Sequence, residues 1–188
     1  MRRTLFTDEH ELFRATVRAF VDKEIAPNHP TWERDGIVPR ELFLAAGAVG
    51  LLAFAAPEAY GGGGVDDFRY NMILSEELQR AGVAGSALSL TLHNDICLPY
   101  FLHLATDEQQ ARWLPGICSG ELITAIAMSE PGMGSDLASM QTSAVRHDHH
   151  ISVDAVGDER LRTVEDERVV VADGRGLHGG QVLSLIHI

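Results

Sequence analysis

A mainly α-helical fold, a bundle of helices followed by the beginning of a β domain, is predicted by three features of the sequence. Apolar residues recur at three- and four-residue spacing through most of residues 1–121. Capping residues and helix-stopping Gly or Pro punctuate that pattern. The period then changes, because Leu122-Ile123-Thr124-Ala125-Ile126 is a short run rich in β-branched residues, and Pro131, Gly132 and Gly134 follow close behind it. These features divide the chain into an N-terminal helical domain (1–121) and the start of a β domain from residue 122.

The first helix is capped by Thr7 or Asp8 and carries Leu12, Phe13, Val17, Phe20, Val21 and Ile25 on one stripe, with Pro27 ending it. A second starts at Pro39, a favourable first helical position, and presents Leu42, Phe43 and Ala46 before Gly47 and Gly50 weaken it. Asp66-Asp67 introduces a third, with Tyr70, Ile73, Leu74 and Leu78 on one face and Gly82 at its end. The fourth runs from Ala84 into His103 and lacks a polar face through Ala87 to Leu92, so it is expected to be buried on most sides. Thr106-Asp107-Glu108-Gln109 has capping-box spacing and opens a last helix through Trp113, which Pro115 and Gly116 are expected to end.

Two interruptions of this pattern need a reading of their own. His93, Asn94 and Asp95 place three hydrogen-bonding side chains in the greasiest helix, where they either satisfy buried backbone or face a ligand. Gly61 to Gly64 lacks the Lys-Ser/Thr of a P-loop and the spacing of a dinucleotide loop, and reads as a flexible connection between helices, with Tyr60 before it a packing residue.

Composition narrows the function classes. With 27 acidic against 15 Lys and Arg residues, the formal net charge of -12 argues against nucleic acid or an anionic membrane surface as partner. No apolar run approaches the roughly 20 residues of a membrane span, and Thr4 to Glu11 is no signal core, so a cytoplasmic protein is the expectation. Cys97 and Cys118 are far apart and read as small buried hydrophobes. His147, His149 and His150 lack metal-ligand spacing, and no metal is assigned.

The chemistry concentrates in Ala127-Met128-Ser129-Glu130-Pro131-Gly132-Met133-Gly134-Ser135-Asp136. A strand that ends in hydroxyls and glycines can bring bare N–H groups and side-chain oxygens against a flat polar ligand, but spacing alone leaves a plain surface turn equally open. The segment resembles the flavin-contacting signature of the acyl-CoA dehydrogenases, in which Thr or Ser precedes Glu-Pro-Gly and Gly-Ser-Asp closes the motif. Pro57 to Gly62, Leu92 to Ile96, Trp113 to Ile117 and Ser119-Gly120-Glu121 resemble the same family in the same order, so the likeness covers roughly Leu5 to Arg146.

The resemblance implies an N-terminal helical bundle followed by the beginning of a β-barrel-like domain, a truncated acyl-CoA dehydrogenase-like fold. It implies α,β-dehydrogenation of an acyl-CoA thioester, with a carboxylate taking a proton from the α carbon as hydride leaves the β carbon for the N5 atom of FAD. On that pattern the main chain of Ile126, Ala127, Met128 and Ser129 lines the flavin edge, and the Ser129 hydroxyl bonds the ring near N5. Ser135, with the N–H groups around Gly134, reaches the cofactor pyrophosphate, or Ser135 reaches the bound thioester substrate. Glu130 matches a position the family does not use as base, and Met128 and Met133 read as packing. The base belongs to a C-terminal bundle that these residues do not include, so no catalytic residue is assigned and the chain is expected to be inactive. An electron-transfer flavoprotein as acceptor and a homotetramer are also implied for intact members.

The likeness stops after Asp154, so the resemblance implies that the start of the β domain covers 122–154 and leaves a divergent tail over 155–188. Strand pairing remains plausible for Gln141 to Val145 with Ile151 to Asp154, and Val169 to Val171 can form a short strand. The aromatic-Ile-Thr/Ser strand that the resemblance leads one to expect beside the flavin is replaced by Ala155 to Arg162, and Val182 to Ile188 resembles translated adapter sequence. The tail is therefore expected to be of frameshifted or artefactual origin. A non-catalytic helical module that binds an acyl group or a partner helix is the rival reading. It gives no reason for Ser129-Glu130-Pro131-Gly132 to follow a strand.

Overall fold

A computed structural model describes residues 4–127, 132, 134–136, 139, 141, 143–146, 151–154, 169–173 and 183–187. Helix α1 (Asp8–Phe20) runs into a π turn at Val21–Ile25, and α2 (His29–Asp35) follows the Pro27 stop. Next come α3 (Glu41–Ala48), a 3-10 turn at Glu58–Tyr60, α4 (Arg69–Arg80) and α5 (Ala84–Thr91). A second π turn (Leu92–Cys97) joins α5 to α6 (Leu98–Leu104), and α7 (Asp107–Ser119) closes the helical part. The fold is mainly helical, as the spacing predicts.

Burial follows the apolar stripes with two exceptions. Val17, Phe20, Val21 and Ile25 of the first stripe pack with Leu42, Phe43 and Ala46, with Ile73, Leu74 and Leu78, and with Ala87 and Leu90 in one core. Each of the Val, Leu, Ile and Phe side chains contributes about 1.5–3 kcal/mol on leaving water. Leu12 is the first exception, 72% exposed: it sits one turn before Thr16, on the outer face of α1. Leu88 is the second, 63% exposed, so the fourth element has an outward face that is apolar rather than absent. A second core joins Ala53, Ala56, Leu98, Phe101, Trp113, Leu114, Ile117 and Cys118, with Tyr60 packed against it.

Three features of the helical part depart from the sequence reading. Helix α2 is not signalled by any apolar stripe, since none of its residues is buried; Pro30 in its first turn and Gly36 in a left-handed conformation (φ +69°) delimit it. Helix α7 continues through Pro115 to Ser119 and ends at Gly120 (φ +80°). The one backbone bond that Pro115 forfeits is outweighed by burial of Ile117 and Cys118, which the extra turn delivers to the second core. The Gly61 to Gly64 connection is a packed turn rather than a flexible one: Gly64 N–H donates to the Ala56 carbonyl at 2.8 Å, Val65 N–H to the Phe54 carbonyl at 3.0 Å, and a Cβ on Gly62 would stand 2.1 Å from the Ala56 oxygen.

The capping box on α7 forms as its spacing predicts, Gln109 N–H donating to Thr106 Oγ1 at 3.3 Å and Thr106 N–H to Gln109 Oε1 at 3.0 Å. After it the chain turns extended. Strand β1 (Ala125–Ala127) pairs antiparallel with β5 (Leu183–His187), which also pairs with β4 (Val169–Asp173). Strands β2 (Ser143–Arg146) and β3 (Ile151–Asp154) form a separate antiparallel pair. Two of the strands the sequence suggests in its later part are thus a hairpin, and Val169 to Val171 lies in β4.

Candidate functional site

The site of interest is the junction where the helical bundle hands over to β1, and a buried histidine organises it. His93, Asn94 and Cys97 are the buried members of the π turn, where the widened backbone gives a hydrogen bond from Leu98 N–H to the His93 carbonyl. Inward-facing polar side chains in such a place must find partners. They do: Asn94 Oδ1 accepts from Ala53 N–H at 2.6 Å, and its Nδ2 donates to the Leu51 carbonyl at 2.9 Å. Asp95 accepts a hydrogen bond from the Asn71 amide, and burial pushes its carboxyl above the ordinary carboxylate range. Of the two readings open for this trio, satisfaction of buried groups is the one these contacts support.

His93 has no exposed surface and both ring nitrogens are engaged. Nε2 lies 3.0 Å from the Ile117 carbonyl at the end of α7, so Nε2 carries the proton and donates. Nδ1 is then the acceptor, 2.9 Å from Thr124 Oγ1 and 3.4 Å from Thr124 N. Burial pushes the imidazole pKa down, against the smaller effect of the Ile117 bond, which keeps the ring in this neutral form. Thr124 is itself buried and hydrogen-bonds the Cys97 thiol, whose pKa burial raises. The chain of contacts therefore runs from Cys97 through Thr124 to His93 and on to the Ile117 carbonyl.

Beyond Thr124 the chain enters β1. Ile126 is half-buried and Ala125 exposed, and Ala127 closes β1. Strand β1 stands at the border of its sheet, with β5 on one side and no strand on the other among the described residues. An unpaired backbone edge offers N–H and C=O groups to a ligand. Gly134 and Ser135 are exposed, and nothing stands within 4 Å of a Cβ built on Gly132 or Gly134, so these positions leave room for a bulky group. Asp136 closes the turn through its carbonyl, which accepts from Ser139 Oγ at 2.8 Å and Ser139 N–H at 3.2 Å. Met128 and Ser129 lie outside the described residues, as do Glu130, Met133 and the His147, His149 and His150 group.

Thr124 is the member of this junction that sequence reasoning passes over, because a β-branched residue at a strand start is unremarked there. The signal available was a hydroxyl inside an otherwise apolar run. Among the described residues no group of three or more His, Cys, Asp or Glu could hold a metal ion, and no helix is long and apolar enough to cross a membrane.

Residues 7–121 match the sequence profile of the acyl-CoA dehydrogenase N-terminal domain. The chain belongs to the acyl-CoA dehydrogenase family. It is 40% identical over 144 residues to the mitochondrial long-chain specific acyl-CoA dehydrogenase of Mus musculus, a match covering 77% of this chain and 33% of that protein. The chain thus spans about a third of the length of the curated relatives it matches. The crystal structure of an acyl-CoA dehydrogenase from Geobacillus kaustophilus aligns with a TM-score of 0.76 at 30% identity, covering 100% of this chain and 57% of that one. An acyl-CoA dehydrogenase from Bacillus anthracis, described as complexed with FAD, shares the fold with a TM-score of 0.69 at 22% identity, covering 100% of this chain and 37% of that one. The mouse relative is mitochondrial, so it lends no support to the cytoplasmic expectation.

Proposed function

We propose that this family member is the N-terminal part of a flavin-dependent oxidoreductase that dehydrogenates an acyl-CoA thioester between its α and β carbons. The carrying observation is the tethered strand: β1 leaves the helical core at a buried Thr124, presents one backbone edge unpaired among the described residues, and is followed in sequence by Ser129-Glu130-Pro131-Gly132. FAD, when bound, supplies the hydride acceptor. The main-chain groups of Ile126, Ala127, Met128 and Ser129 hold its ring edge, where their N–H dipoles favour negative charge developing on the ring. The Ser129 hydroxyl orients the ring, and Ser135 with the backbone at Gly134 meets negative oxygens of the pyrophosphate or positions the thioester.

No carboxylate of this chain is assigned the removal of the α proton, and the tail over 155–188 is read as sequence foreign to the family. The base belongs to residues outside these 188, and the chain alone is inactive toward acyl-CoA. The intact protein works as a homotetramer and passes electrons to an electron-transfer flavoprotein.

Recording the visible spectrum of the purified chain after incubation with FAD and gel filtration tests the reading. A retained flavin spectrum that acyl-CoA does not bleach is expected. A colourless protein that cannot be reconstituted overturns it in favour of a helical acyl- or partner-binding module.

A further inference from the structure

The contacts of His93 single out one residue, Thr124, at the point where the cofactor strand begins. One ring nitrogen is anchored on the end of α7, whose Ile117 carbonyl lies past the helix's last regular bonds; Glu121 N–H, the group that would otherwise reach it, turns to Ser119 Oγ at 3.4 Å. The other nitrogen addresses both the hydroxyl and the N–H of Thr124. Residues just before Thr124 have their own attachments, Leu122 N–H to the Gly116 carbonyl at 2.9 Å and Arg40 Nη2 to the Glu121 carbonyl at 2.5 Å. Thr124 is the last fixed point before Ala125–Ala127.

An apolar pair would fill this space without any need to match donors to acceptors. A fully satisfied buried polar chain instead admits one geometry, since each shift leaves a desolvated group unpaired. We propose that His93 is a positioning residue for the FAD edge: held by the Ile117 carbonyl, it fixes the height and rotation of β1 through Thr124, and so aims the backbone groups of Ile126 and Ala127. This inference rests on the proposed flavin role of that edge.

Variants of the full chain separate the two ends of the ring. His93→Gln keeps a donor near the Nε2 position but no acceptor near Nδ1, and His93→Asn does the reverse. Thr124→Val removes the hydroxyl at nearly constant volume, and Thr124→Ser retains it. Two readouts are taken: amide exchange at Ala125–Ala127 without cofactor, and the FAD dissociation constant from flavin fluorescence.

His93→Gln and Thr124→Val are each expected to speed that exchange and to weaken FAD binding about tenfold, with the double variant no worse than either. His93→Asn, which gives up the anchor on the Ile117 carbonyl, is expected to behave like His93→Gln, whereas Thr124→Ser stays within about threefold of the parent. If Thr124→Val fails to fold, His93→Gln against Thr124→Ser carries the same contrast. Equal FAD affinity in parent, His93→Gln and Thr124→Val overturns the positioning role while leaving the flavin reading intact, even if thermal stability falls. A parent chain that takes up no FAD overturns both.

Discussion

Asn94 holds Ala53 in a left-handed conformation, accepting its N–H on Oδ1 at 2.6 Å while Nδ2 donates to the Leu51 carbonyl at 2.9 Å. Ala53 is the only non-glycine with positive φ (+50°) among the described residues, and it is fully buried. An alanine there stores about 1–2 kcal/mol of backbone strain. The amide makes that conformation affordable by satisfying both flanking main-chain groups. Asn94→Ala is therefore expected to lower stability by roughly 3 kcal/mol, two orphaned buried groups being exposed to no solvent. Chemical denaturation measures it; a loss under about 1 kcal/mol would show that water or a shifted loop replaces the clamp.

Helices α3 and α7 meet through a reciprocal pair of glycines. A Cβ on Gly47 would stand 2.3 Å from the Ser119 oxygen, and one on Gly120 would stand 2.2 Å from the Phe43 oxygen. Both obstacles are backbone, which cannot rotate aside. Gly47→Ala is expected to cost about 2–3 kcal/mol although alanine favours helix at that position, the clash outweighing propensity. Gly36→Ala supplies the comparison, because φ is +69° there but nothing lies within 4 Å; conformational strain alone predicts a loss of about 1 kcal/mol. Thermal melts of the two variants should rank in that order.

Those glycines mark the border of what the sequence makes legible. Apolar periodicity locates α1, α3, α4 and α5 because each buries a stripe, and the Thr106 to Gln109 box fixes the start of α7 because its two bonds are local. Gly47 looks like a weak helix residue until its neighbour across the interface is known. Pro115 looks like a stop for the same reason: the burial of Ile117 and Cys118 that carries the helix past it is tertiary. At the site, the Ser-Glu-Pro-Gly pattern is legible only as a family resemblance, whereas the His93 to Thr124 link joins residues 31 apart and has no local signature.

The two thiols test burial directly. Burial pushes Cys118 up to about 11 and raises Cys97 as well, and both side chains are buried and unpaired with each other. Alkylation needs an accessible thiolate, so neither is expected to react with iodoacetamide at neutral pH in the folded chain, and both should react in denaturant. Peptide mass spectrometry reads the sites. Rapid native labelling of Cys97 would mean that the Thr124 junction opens readily.

Acid should unfold the protein in two steps of the same sign and separate origin. His93 has a folded pKa depressed by burial below its ordinary 6.5, so the unfolded chain binds the proton first; its contribution is complete above pH 6.5 and is lost as pH falls below that value. Glu77 is 2% exposed and is held by Arg18 (Nε and Nη2, both 2.9 Å), Arg80 (Nε, 2.6 Å) and Arg14 (Nη1, 3.2 Å). The Arg18 bonds, against the opposing effect of burial and with help from Arg80 and Arg14, bring its carboxyl from 4.5 down to about 2. Its contribution is complete above pH 4.5 and is lost as pH falls toward 2. Stability measured against pH should accordingly lose the upper step in His93→Gln and the lower step in Glu77→Gln, relative to the parent. Glu77→Ala, which leaves three guanidinium groups around an empty place, should cost roughly 3 kcal/mol at pH 7. A Glu77→Gln profile parallel to the parent between pH 5 and 2 would show that the arginine cluster contributes nothing to acid stability.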